Sequence, residues 1–139
     1  MTIGVLIVSH ELLGQTMLDI SVKTLSVCPL ATKVLSVALE CDPGELAENA
    51  EKLVKELDTG DGVLILTDLC GATPSNIACR LSYHQHVKVV VGLNMPMLLR
   101  ILNYPNLSLE EMAEKAVDGG RQGVMMLAPD CEVKEQSSR

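Results

Sequence analysis

The chain contains no phenylalanine and no tryptophan, and its only aromatic side chains are two tyrosines. A protein that holds single-stranded nucleic acid by stacking needs aromatic platforms, and none can be assembled here. The same scarcity means that the core is built from Leu, Val, Ile, Ala and Met. Cations are short as well: 11 Lys and Arg stand against 18 Asp and Glu, a formal net charge of −7, which opposes a polyanion and suits a basic protein partner better. The five cysteines are odd in number and show no CxxC spacing, which disfavours a disulfide framework and a zinc site and fits a reducing cytoplasm. No apolar run is long enough to span a membrane, and the N-terminal one lacks the basic flank and cleavage site of an export signal. No internal repeat or low-complexity linker occurs, so one domain over residues 1–129 is expected, followed by a polar tail, residues 130–139, read as disordered.

What is present is organised around Val63 to Arg80. Val63 to Leu66 is a short apolar run of the kind that forms a parallel strand covered on both faces. Asp68 follows at the expected strand end, Gly71 permits tight backbone, and Thr73-Pro74 reads as an N-cap followed by proline at the first helical position. Such a loop aims free N–H groups and a helix dipole at the carboxyl edge of the sheet, a suitable place for an anion. Ile3 to Val8 is a second strand run and stops at Ser9-His10. If right-handed crossovers carry the second strand to one side of the first and the third to the other, His10 and Asp68 meet at the topological switch point. A histidine held by a carboxylate and facing helix N–H groups suggests nucleophilic chemistry on a phosphoryl group, although each residue alone reads equally well as an ordinary loop or turn residue.

Along the rest of the chain, an amphipathic helix is expected over Leu12 to Leu25 and a strand over Lys33 to Leu39. A helix capped by Asp42 and Pro43, with Leu46, Ala50, Val54 and Leu57 inward, follows. Val87 to Val91 is a β-branched strand, and a helix through Leu98 to Leu102 ends near Asn103-Tyr104-Pro105. Ser108 to Glu111 is a capping box that opens the last helix, which Gly119-Gly120 would close. Val124 to Ala128 is a final apolar strand. The His84/His86 pair supplies too few ligands for a metal and reads as solvated loop, and Cys70 as a lining residue. No metal or cofactor is expected.

The strand ending in Ser9-His10, the run from Asp68 through Gly71-Ala72-Thr73-Pro74-Ser75-Asn76, and Val91-Gly92-Leu93-Asn94-Met95-Pro96-Met97-Leu98 together resemble the enzyme IIA domain of the mannose-type (mannose/fructose/sorbose) sugar phosphotransferase system, over nearly the whole chain. The resemblance implies that His10 takes a phosphoryl group on Nε2 from the phosphocarrier HPr and passes it to an enzyme IIB. It also implies that Asp68 binds the other ring nitrogen, and that the Gly71 to Thr73 loop receives the phosphoryl oxygens, with Thr73 in place of the usual serine. Glu11 stands where the family often has glycine, Ala72 where a second glycine is common, and no linker and IIB domain follow, as in a free-standing carrier. The fold implied is a doubly wound, mostly parallel α/β sheet of order 2-1-3-4. A short antiparallel C-terminal edge strand would be exchanged in a homodimer. Leu12, Leu69, Met95 and Met97 are the candidate partner-docking residues. A regulatory protein of an incomplete relay and the phosphocarrier serving dihydroxyacetone kinase are the alternatives. The protein is expected in the cytoplasm, without membrane insertion, meeting a membrane permease complex only through its partners.

Overall fold

The structure is a computed structural model that describes residues 2–69, 71–83 and 86–134. Its elements in chain order are β1 (Gly4–His10), α1 (Leu13–Leu25), β2 (Ala31–Val37), α2 (Pro43–Leu57), β3 (Val63–Thr67), α3 (Thr73–Leu81), β4 (Val87–Val91), α4 (Met95–Leu102) and α5 (Leu109–Gln122). The four strands form one parallel sheet of order β2-β1-β3-β4. The direction of winding reverses at β1, so β2 and β3 lie on opposite sides of it.

Alternation along the strands divides the core in two. Ile7, Leu64 and Leu66 face Leu98, Ile101 and Met112 in the layer under α1, α4 and α5, whereas Leu6, Val8, Val63 and Ile65 face Ala50, Val54 and Ile77 under α2 and α3. Because β1 and β3 are central, both of their faces are covered and their apolar runs are nearly continuous. β2 is an edge strand with mixed exposure, and it lies two residues earlier than the expected Lys33 to Leu39.

Several helix ends follow the capping chemistry. The Asp42 side chain accepts from Gly44 N at 3.0 Å, and Ser108 Oγ accepts from Glu111 N at 3.3 Å while its hydroxyl donates to Glu111 Oε1. α4 begins earlier than expected because Asn94 caps it, accepting from Met97 N at 2.9 Å. Thr73 is not the N-cap of α3: extended Ala72 occupies that position, and Ser75 Oγ donates back to Ala72 O at 2.9 Å.

Gly119-Gly120 does not end the last helix. Both glycines lie inside α5, where a Cβ on Gly119 would come within 2.6 Å of Arg100 Cβ, so their smallness lets α5 approach α4 closely. The segment Val124 to Ala128 does not pair with β4 within the chain. Leu127 instead forms an isolated antiparallel bridge with Val133 across a turn in which Cys131 N donates to Ala128 O at 2.8 Å. Among the described residues the outer edge of β4 has no strand beside it. No described helix is long and apolar enough to cross a membrane.

Candidate functional site

The register sets Val8 opposite Thr67, so β1 and β3 deliver His10 and Asp68 to the same point on the carboxyl edge. Asp68 Oδ2 lies 2.8 Å from His10 Nδ1 and accepts from the His10 backbone N–H at 3.0 Å. Burial of Asp68 pushes its carboxyl up, but the hydrogen bonds from the His10 backbone and ring pull it down by more, and the net is below the usual aspartate value. The carboxylate is therefore ionised at neutral pH and can only accept, which makes Nδ1 the protonated ring nitrogen and leaves Nε2 with its lone pair. The Asp68 side chain is 9% exposed and the His10 side chain 42%. The acceptor is hidden, while the His10 side chain is partly open to solvent.

Gly71 sits at φ 85°, within the left-handed region that favours glycine, and a Cβ there would meet nothing within 4 Å, so the demand is conformational. Ala72 is extended at φ −96°, a conformation that needs no glycine. Beyond it, the first-turn N–H groups of α3 have no intrahelical acceptor, and Pro74 contributes none. Neither lysine nor arginine stands in this loop or beside His10 in sequence, so the donors that the loop itself offers an anion are backbone N–H groups and the Thr73 hydroxyl. Cys70 and His84 lie outside the described residues. The ring of His86 lies 3.8 Å from Asp58 Oδ2 near the opposite edge of the sheet.

Three residues that bear on the site were not singled out as site residues in the sequence. Ser9 is fully buried, and its hydroxyl accepts from Gly14 N at 2.8 Å, capping an α1 whose own N-cap, Leu12, has no side-chain cap bond. A serine at a strand end before an uncapped helix was the available signal. Glu11 adopts φ 47°, the left-handed region, at a strain of about 1–2 kcal/mol for a residue with a Cβ, which a glycine at this position would not bear. Its carboxylate turns to the β2 side and accepts from Leu39 N at 3.2 Å. Asn94 joins α4 to α5 by donating to Gly120 O at 3.1 Å.

Of the expected docking residues, Leu12 and Leu69 are exposed, at 69% and 61%. Met95 is half-buried against α1, its sulfur 3.9 Å from Ser21 Oγ. Met97 is a correction. It is 3% exposed and belongs to the core, because Asn94 capping turns the first α4 residues inward over Gly120.

An open parallel sheet bearing a histidine and carboxylate at its switch point defines a class of α/β domains whose chemistry is done at one strand-end junction. Residues 4–117 match the PTS system fructose IIA component family (EIIA-man), and the chain belongs to that family, the mannose-type enzyme IIA components of the sugar phosphotransferase system, a class that implies phosphoryl transfer. The mannose-specific EIIAB component of Escherichia coli K12 is 39% identical over 90 residues, covering 58% of this chain and 28% of that protein, so the match spans little more than a quarter of the curated relative. The mannose/sorbose-specific IIA subunit from Enterococcus faecalis superposes with a TM-score of 0.82 at 22% identity, over 92% of this chain and 96% of that one. The PTS IIA protein associated with the fucose utilization operon of Streptococcus pneumoniae gives 0.70 at 25% identity, over 84% and 90%.

Proposed function

We propose that the protein is a cytoplasmic phosphohistidine carrier of a sugar phosphotransferase relay, accepting a phosphoryl group from HPr on His10 and passing it to an enzyme IIB. The observation that carries this reading is the 2.8 Å contact between His10 Nδ1 and the buried Asp68 carboxylate, with Nε2 left free. As the donor's P–N bond breaks, the bond from His10 Nε2 to phosphorus forms and the ring becomes cationic. Asp68, already ionised, stabilises that cation through Nδ1–H without taking its proton. The phosphoryl oxygens are received by N–H groups of Gly71, Ala72 and Thr73 and by the α3 dipole. A cradle without lysine or arginine does not over-stabilise the phosphorylated state, which suits onward transfer to an incoming nucleophile on IIB. Incubation with phosphoenolpyruvate, enzyme I and HPr should place an acid-labile phosphoryl group on His10. Its absence from the parent, or its persistence in His10→Gln, would overturn the reading.

We further propose a homodimer in which residues 124–128 of each chain add to the β4 edge of the other. Met125, Met126 and Leu127 are between 43% and 69% exposed in one chain. Grooves of about 530 Å³ on the α3 side of β4 and about 410 Å³ on the α5 side flank the open edge. Exposed edges of this kind are ordinarily paired or covered.

A further inference from the structure

The apolar side chains around His10 are more extensive than the expected docking set, and the loop that carries the largest of them is tied to His10 by an unusual residue. Leu39, two residues past the end of β2, is 91% exposed, more than any other large hydrophobic described. With Leu12 after β1 and Leu69 after β3, it completes a row of exposed leucines at the carboxyl ends of three neighbouring strands. The loop is not free. Glu11 N donates to Val37 O at 3.0 Å and Glu11 Oε1 accepts from Leu39 N at 3.2 Å, so one residue clamps the end of β2 from both sides. That residue immediately follows His10 and holds a left-handed conformation to do so.

The charge around this row is of one sign. The connections after β1, β2 and β3 (residues 11–12, 38–42 and 68–72) contain Glu11, Glu40, Asp42 and Asp68 and no lysine or arginine. Such a surface is complementary to a protein with an apolar centre inside a basic rim, because attraction to the rim steers encounter while the leucines supply the desolvated contact. Leu39 follows the edge strand β2, at the opposite side of the sheet from β4, so it stays open in the proposed dimer.

We propose that Leu39, held by Glu11, is a docking contact for a phosphoryl-donor protein whose surface presents an apolar patch ringed by basic side chains. This rests on the reading of His10 as phosphoryl acceptor. Glu11 is a positioning residue: it acts through the loop it holds, by accepting a hydrogen bond.

The test uses the full chain with phosphorylated HPr as donor, measuring KM and the single-turnover rate at saturation for the parent, Leu39→Ala, Glu11→Ala, Glu11→Gln and the Glu11→Ala/Leu39→Ala double variant. Leu39→Ala should raise KM about tenfold, the effect of truncating a well-placed interface residue, with the saturated rate changed less than about twofold. Glu11→Ala should raise KM similarly, the double variant should be no worse than the larger single effect, and at about 300 mM salt, where the charge that both Glu11 variants lose is screened, Glu11→Gln should recover most of the Glu11→Ala loss because its amide oxygen still accepts from Leu39 N. The parental KM should rise with salt between about 50 and 300 mM. An unchanged KM for a folded Leu39→Ala protein would overturn the docking role, and Glu11→Gln behaving as Glu11→Ala would overturn the tether. A KM independent of salt would remove the basic rim. Altered self-association of Leu39→Ala in ultracentrifugation, with KM unchanged, would assign the patch to a second copy and overturn the proposal. These failures leave His10 phosphorylated. If the parent takes no phosphoryl group, the carrier reading falls and the docking proposal falls with it.

Discussion

Asp68 Oδ2 accepts two hydrogen bonds from a single residue, the backbone N–H of His10 at 3.0 Å and its ring at 2.8 Å. One carboxylate oxygen thus fixes where β1 ends and which tautomer its last side chain adopts, so backbone placement and ring chemistry are set together.

Replacing Asp68 by Asn should separate the two. The amide oxygen can still accept from the backbone, so folding survives, but the charge that stabilises an imidazolium is lost and the tautomer is no longer dictated. Single-turnover transfer from phosphorylated HPr should slow about 10²- to 10⁴-fold, by comparison with other carboxylate-oriented histidines. His10→Gln should abolish it with little change in thermal stability. Parental rates in a folded Asp68→Asn protein would reduce Asp68 to a turn residue.

The pH dependence of stability carries the sign of the Asp68 shift. Its folded-state pKa is below the unfolded value, so its contribution is complete above the ordinary aspartate range, about pH 4, and is lost as pH falls through the lowered value. The stability difference between parent and Asp68→Asn, measured by urea unfolding, should shrink as pH falls below about 4. A difference that grew below about pH 4 would contradict the assignment.

Two glycines should respond differently to alanine. At Gly119 the new Cβ meets the rigid Cβ of Arg100, and separating α5 from α4 should lower stability by about 1–3 kcal/mol, visible as a fall in the urea midpoint. At Gly71 there is space but φ is 85°, so the loss should be smaller, about 1–2 kcal/mol, with phosphoryl transfer affected more than stability. A Gly119→Ala protein as stable as the parent would mean that the helices can part at no expense.

Removal of residues 124–139 should convert the proposed dimer to monomer or aggregate, read by ultracentrifugation. A monodisperse dimer of the shortened chain would exclude strand exchange as its basis.

How far the sequence could be read depended on whether local chemistry or packing decided the outcome. β4 has the expected bounds because a β-branched run ending in Gly92 leaves little choice, and the His10–Asp68 junction followed from strand order and handed crossovers. β2 was displaced because an edge strand, half solvated, has no continuous apolar run to mark its limits. Gly119 and Gly120 resemble a helix terminator, yet the proximity of Arg100 and Met97, which no local pattern reveals, keeps them helical. Met97 looked like a site-loop methionine for the same reason: its burial is decided by contact with Gly120 of α5, more than twenty residues further along the chain. The place of Glu11 next to His10 in sequence leaves open where its carboxylate turns, and only the position of Leu39 N settles it.

His10 and Asp68 are separated by 58 residues in sequence and joined only through the side-by-side placement of β1 and β3. Between them the chain must complete β2 and both crossover helices, so the pair is a non-local contact that closes late, after a large loop has been ordered. A nascent or partly unfolded chain presents the same histidine with neither tautomer nor cradle assigned. If His10 is the phosphoryl acceptor proposed above, its competence should therefore appear during refolding in the same kinetic phase as the sheet itself, and its phosphorylation would report on the folded population.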